Sequence, residues 1–166
     1  MSEEPYFNKA DWQVLAHYGA TMLTVQNFEW AIKRLAILYT DTPEHASLEE
    51  AWKAVEKKLE RPVGPLVQTL GKQEGLPEYL LKELREAAGH RNYLAHEYLI
   101  AYSIQRGYGQ VEPSEAIAFL QTRMQYFEGL RDELSKLIGE HLPSETYEEV
   151  RKIVEEIMSE DKFWES

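Results

Sequence analysis

The run from about Pro77 to Arg106 limits the fold of this chain more than any other stretch. At about 100° per residue, its apolar side chains fall on one stripe, which is typical of a helix face that packs against a core. That stripe contains Leu80, Leu84, Ala87, Leu94, Tyr98 and Tyr102, with Arg91 at its centre. A guanidinium keeps its proton and is costly to bury alone. We therefore expect Arg91 to have a partner or to open onto a cleft.

The opposite side of the same predicted helix carries Asn92 and His96, which are four residues apart and so share one surface. Arg91 and His96 are separated by roughly 140° around a straight helix. A site that uses both requires Arg91 to reach sideways, a distortion near Gly89, or a dimer that brings copies together. The spacing alone does not choose among these.

The first helix is predicted over about Lys9 to Tyr39, with apolar residues at helical spacing. Glu29 falls within this apolar stripe, between Val25 and Ile32. It is either the partner of Arg91 or a glutamate at the rim whose carboxylate turns to water.

The rest of the chain repeats the helical pattern. A short helix is expected from about Ser47 to Leu59, followed by a brief apolar piece from Val63 to Leu70. A long helix begins at Pro113 and ends before Pro143, and an acidic helix follows over about 145–160. There is no strand pattern of useful length. We predict a single all-α domain over 1–166, a bundle of four to five main helices with its core at about 9–142.

Composition restricts the function. The formal net charge of −11 opposes constitutive nucleic-acid binding, but it does not exclude a nuclease with a local basic pocket. Five residues can supply such a pocket: Arg85, His90, Arg91, His96 and Arg106. The chain has no cysteine, no apolar run near the roughly 20 residues of a membrane span, and no signal-peptide pattern at its start. We expect a cytoplasmic protein that does not enter the membrane.

Common enzyme signatures are missing from the sequence. It has no phosphate-binding glycine loop before a helix, no paired-histidine zinc motif and no nucleophile elbow. Five histidines and few inward carboxylates do not suggest a zinc or di-iron site. We therefore expect neither a cofactor nor a metal.

The stretch Arg91-Asn92-Tyr93-Leu94-Ala95-His96-Glu97-Tyr98 resembles the motif of the HEPN domains, an all-α family. Many members carry arginine, then a polar residue that is often asparagine, then histidine after four to six intervening positions. A toxin subclass paired with minimal nucleotidyltransferases extends this to Arg-x4-His-x-Tyr, and Arg91, His96 and Tyr98 match it. The position late in a central helix also matches. Specific residues agree only over about eight positions.

The resemblance implies metal-independent RNA cleavage at a site between two subunits. In that reading His96 is the acid–base group, Arg91 binds the scissile phosphate and Asn92 orients by hydrogen bonding. Tyr98 positions Arg91, stacks on a base, or is the tyrosine that a partner nucleotidyltransferase adenylylates. The chain is longer than the smallest toxins of this subclass, with extra residues at 41–76 and a C-terminal helix.

Three interpretations follow. The first is an endoribonuclease that acts as a homodimer, as a toxin with a nucleotidyltransferase-type antitoxin or as a stress-response effector. The second is a non-catalytic HEPN-like module that binds a nucleotide or a protein partner, and the third is an unrelated helical bundle. The enzyme predicts that Arg91 and His96 converge on one open cleft, with a two-fold axis expected to bring them together. The module predicts Arg91 closed against a carboxylate and His96 remote or inaccessible. A dimer also gives a place to Trp12, Trp30 and Trp164.

Overall fold

A computed structural model describes residues 8–39, 61–72 and 76–141 of the chain, together with Lys57. These residues form five helices and no strand, which confirms the predicted all-α bundle. The helices are α1 (Lys9–Tyr39), α2 (Val63–Leu70), α3 (Glu78–His96), α4 (Tyr98–Gly107) and α5 (Pro113–His141). Most of the helix predicted near residues 47–59, the whole helix predicted at 145–160, and Trp164 lie outside the described residues.

The main packing joins the two long helices, α1 and α5, which run in the same direction. The Thr21 hydroxyl donates to the Leu120 carbonyl at 3.3 Å. Two turns later in each helix, the centres of the Phe28 and Phe127 rings lie 5.1 Å apart. Both phenylalanines are fully buried. Truncating either ring to alanine is expected to cost about 3–5 kcal/mol, because a cavity would replace well-packed surface.

Helix α3 runs antiparallel to α1. Arg91 contacts Glu29, while Leu94, further along α3, contacts Tyr18, which is earlier in α1. Helix α2 packs on α1 and α3 through its apolar side. This arrangement sets the polar residues of α3 against the middle of α1.

The prediction of one continuous central helix is wrong at Glu97. There the backbone has φ −121° and ψ −34°, α3 ends, and α4 begins at the next residue. The last carbonyls of a helix need partners from outside it. Here the Tyr18 hydroxyl donates to the Leu94 carbonyl at 3.0 Å. Gly89 remains helical, so the distortion lies after His96 and not near the glycine.

The beginning of α1 is tied to α4 by a buried carboxylate. Asn8 caps the helix by accepting from the Asp11 backbone N–H, and Asp11 accepts in return from the Asn8 N–H. The same carboxylate accepts from the Tyr102 hydroxyl at 2.7 Å and from Arg106 Nε at 3.1 Å. The turn into α5 passes through Gly109, whose φ of 64° suits a residue without a side chain.

Among the helices of the described part of the chain, none combines the length and apolar character that a membrane crossing demands.

Candidate functional site

Arg91 joins α1 to the exposed edge of α3. Its Nε donates to Glu29 Oε1 at 2.5 Å, and its Nη1 donates to Asn92 Oδ1 at 3.3 Å. The Arg91 side chain is 31% exposed and that of Glu29 is 17% exposed. One edge of the guanidinium is thus held by a half-buried carboxylate, whereas the other edge faces outward. The alternative in which Glu29 points to water does not hold.

His96 lies beside the outward edge of Arg91. The distance between Arg91 Nη1 and His96 Nε2 is 3.5 Å, and the His96 side chain is exposed. A guanidinium only donates, so this contact needs a lone pair on Nε2 and the imidazole proton on Nδ1. The contact is long and correspondingly weak, which leaves the ring able to turn toward a ligand.

Arg91 reaches His96 sideways, within one chain, which was one of the three routes open to the sequence. Asn92 lies one turn before His96 on the same surface. The group therefore combines a permanent cation, an amide and a titratable ring at an exposed helix edge. Such a set can bind a phosphate oxygen through a guanidinium fork and can exchange a proton with a bound hydroxyl.

Tyr98 belongs to a different environment. Its side chain is 6% exposed, and its hydroxyl donates to the Ala116 carbonyl at 3.4 Å. The ring stacks between Tyr18 at 5.8 Å and Phe119 at 5.4 Å. Burial, followed by the influence of nearby Tyr93, raises the pKa of Tyr98 to about 12. The hydroxyl thus stays protonated at neutral pH, and it donates to the Ala116 carbonyl and not to a partner of Arg91.

The five basic residues expected to form one pocket are divided among several environments. Arg106 is bound to Asp11, and the Arg85 guanidinium lies against Gly71. His90 packs edge-on against Tyr126 at 5.5 Å, and its pKa is lowered by burial and by the charge of Arg123. Of these five residues, Arg91 and His96 are the two that contact each other directly.

Two features of the structure were not predicted from the sequence. The Asp11–Tyr102–Arg106 network was missed, although Asn8-x-x-Asp11 has the spacing of a helix-capping pair. Gln105 and Glu115 line a cavity beside Tyr98, and no local pattern marks either residue.

Comparison of the chain with protein-family models, with curated proteins and with solved structures gave no match. Within the residues that the structure describes, no three His, Asp or Glu side chains are grouped as ligands for a metal ion.

Proposed function

We propose that this protein is a HEPN-type, metal-independent endoribonuclease that acts as a homodimer. The observation that supports this most strongly is the 3.5 Å contact between Arg91 Nη1 and His96 Nε2 at an exposed helix edge, with Glu29 securing the opposite side of the guanidinium. Both groups of the motif thereby reach the same few ångströms of surface, as a phosphodiester site requires.

The proposed reaction uses these side chains and a second imidazole as proton donor. The His96 imidazole removes the proton of a ribose 2′-hydroxyl, whose oxygen forms a bond to the adjacent phosphorus. The bond from phosphorus to the 5′-oxygen breaks, and that oxygen takes up a proton. The Arg91 guanidinium binds the phosphate oxygens as their charge develops, and Asn92 orients the guanidinium by accepting from it. The products are a 2′,3′-cyclic phosphate and a 5′-hydroxyl.

Two protons must move at different oxygens, and one imidazole serves one of them at a time. A second imidazole, that of another copy of the chain, would supply the proton to the leaving 5′-oxygen. Helix α1 offers a surface for such pairing, because Leu23 and Trp30, seven residues apart, are exposed on one side of it together with Trp12. A particle mass of two chains by light scattering is the expected result.

The biological setting we propose is a toxin, paired with an antitoxin of the nucleotidyltransferase type, or a stress-response effector. Expression of the wild-type chain should then arrest growth, and His96→Ala should relieve the arrest. Modification of Tyr98 by such a partner would require its hydroxyl to leave the Ala116 carbonyl and reach solvent. We therefore assign Tyr98 to the aromatic packing and not to the chemistry.

A non-catalytic module that binds a nucleotide or a protein partner is the second candidate. The Glu29–Arg91 pair favours it, since a guanidinium neutralised by a carboxylate attracts phosphate less strongly. The other expectation of the module, a remote or inaccessible His96, does not match the exposed ring beside Arg91.

The test is digestion of single-stranded RNA by purified protein in EDTA. Wild type is compared with His96→Ala, with Arg91→Ala, and with the control His17→Ala, whose ring contacts the Gln13 carbonyl on α1. We expect cleavage by wild type and by the control, at least 100-fold slower cleavage by both site variants, and products that end in 2′,3′-cyclic phosphate. Undiminished cleavage by both site variants, or no cleavage by wild type, would reject the nuclease.

A further inference from the structure

A cavity of about 190 Å³ opens between α3, α4 and α5, and one of its lining residues, Tyr93, lies three residues before His96 in α3. Its walls are mainly four aromatic rings and two polar side chains: Tyr93, Tyr98, Tyr102, Phe119, Gln105 and Glu115. The proposed cleavage chemistry does not use this cavity, and its two polar lining residues, Gln105 and Glu115, are exposed.

The buried and half-buried rings of the wall stack on one another, and Tyr93 is the exposed ring among them. Tyr98 and Phe119 are nearly parallel, with 6° between their planes and 5.4 Å between their centres. Tyr93 meets both of them edge-on, at 6.1 and 6.3 Å, and is 37% exposed. Tyr93 therefore forms the mouth of the cavity. A flat aromatic ligand entering there can stack on the exposed ring of Tyr93, and aromatic side chains commonly hold unstacked nucleobases in this way.

The two polar side chains that line the cavity, Gln105 and Glu115, favour one base over the others. Oε2 of the exposed Glu115 carboxylate accepts from the Glu112 backbone N–H at 3.0 Å, as a helix cap. A carboxylate accepts hydrogen bonds and donates none. Guanine presents two neighbouring N–H groups on its Watson–Crick edge, and the two lone pairs of Oε1 can accept from them while Oε2 keeps its bond to the Glu112 N–H. Gln105 adds an amide that can donate to the guanine O6.

The surroundings suit the phosphates on either side of a bound base. Tyr93 and His96 lie three apart in α3, which makes them neighbours on its surface. On the other side, the Arg123 guanidinium carbon lies 5.2 Å from the centre of the Phe119 ring. A titratable group, His96, and a cation, Arg123, thus lie close to two residues of the cavity wall, despite the acidic net charge of the chain.

We propose that this cavity is a base-specificity site that binds a guanine next to the scissile phosphate. The inference rests on the proposed ribonuclease function for the identity of the substrate. The cavity itself can be tested without cleavage.

The first experiment uses NMR or calorimetry to measure the binding of free guanosine, adenosine, cytidine and uridine to the intact chain. Guanosine should bind most tightly. Tyr93→Ala, which removes the stacking ring at the mouth, should weaken guanosine binding about tenfold or more. Glu115→Gln keeps an oxygen for the Glu112 N–H but replaces an acceptor by an NH₂ group, so the preference for guanosine over adenosine should disappear.

The controls are Tyr79→Ala, an exposed tyrosine of α3 outside the cavity, and Glu112→Gln, which changes a neighbouring carboxylate that does not line it. Both should bind guanosine as wild type does. Equal binding of all four nucleosides, absence of binding, or unchanged guanosine binding by Tyr93→Ala would overturn the proposal.

The second measurement maps cleavage in an RNA with each base in every neighbouring position. The base site is supported if wild type cleaves beside guanine and Glu115→Gln loses this preference but still cleaves slowly at other positions. Guanosine binding that depends on Tyr93 and Glu115, in a protein that cuts no RNA, would retain the guanine site and reject only the nuclease. Cleavage without any base preference would retain the nuclease and reject the guanine site.

Discussion

Glu29 and Arg91, 62 residues apart in the chain, are joined by a 2.5 Å hydrogen bond between Oε1 and Nε. This pair fixes one edge of the guanidinium and leaves Nη1 beside His96. Removing both charges from water is costly, and a pair that is still partly exposed contributes modest net stability. Its main effect is therefore on position, since it decides where the other edge of Arg91 points.

Replacing Glu29 with glutamine should loosen Arg91 without emptying the space around it. We expect the free energy of unfolding to fall by about 1 kcal/mol. On the proposed ribonuclease function, RNA cleavage should also fall between about 10- and 100-fold, because a misplaced guanidinium would stabilise the phosphorane poorly. Denaturant unfolding and initial cleavage rates measure the two effects. Glu140→Gln, an exposed position in α5, serves as the control. Full cleavage by Glu29→Gln would mean that Arg91 holds its position without the pair.

Arg91→Lys should preserve the charge and lose the site. An ammonium cannot donate to Glu29 while also presenting a second fixed donor beside His96. On the proposed ribonuclease function, we expect kcat to fall about 100-fold, the scale seen when one preorganised donor is removed, with a smaller change in KM. The matched control is Arg131→Lys, whose arginine binds the adjacent Asp132 on the surface. Equal rates for Arg91→Lys and wild type would assign Arg91 a purely electrostatic role.

Asp11 should make stability depend on acid pH. Burial raises the pKa of this carboxyl, but the hydrogen bonds from Tyr102, Asn8 and Arg106 outweigh that effect and lower the pKa below its ordinary value of 3.8. Its stabilising contribution is therefore complete well above pH 3.8 and is lost as the pH falls through the lower, folded-state pKa.

Asp11→Asn should accordingly cost about 2 kcal/mol at pH 7, because its NH₂ group must face a donor. The difference in unfolding free energy between wild type and variant should shrink below pH 3.8. Denaturation curves collected from pH 7 to pH 2.5 provide the measurement, with the exposed Asp132→Asn as control. A difference that does not vary with pH would assign the loss to packing instead of charge.

Tyr18→Phe tests the break between α3 and α4. The variant keeps the ring that stacks on Tyr98 but removes the donor to the Leu94 carbonyl, so we expect a loss of about 1 kcal/mol in unfolding free energy. Tyr79→Phe, which removes an exposed hydroxyl bonded to Glu133, should change stability little. Faster amide exchange around residues 97–101 in Tyr18→Phe would show that this bond holds the junction, and unchanged exchange would show that it does not.

Some of the candidate site follows from local spacing. Asn92 and His96 had to share a surface because they are four apart on a helix, and that required no other part of the chain. The proximity of Arg91 to His96 did not follow, since a straight helix separates them by roughly 140°. The burial of Tyr98 agrees with its place on the predicted packing stripe, but its neighbours did not follow from the spacing, because the rings of Tyr18 and Phe119 that enclose it come from α1 and α5.

The all-α architecture and the bounds of α1 and α5 could be predicted before folding was considered, because apolar residues repeat at helical spacing over each helix. Tertiary contacts were needed to show that Glu29 is the partner of Arg91, that the central helix divides at Glu97, and which rings surround Tyr98. Helical periodicity depends on neighbours within a few residues and is therefore visible in the chain itself. The direction of a long side chain and the fate of a freed carbonyl depend instead on groups that folding brings from more than 60 residues away.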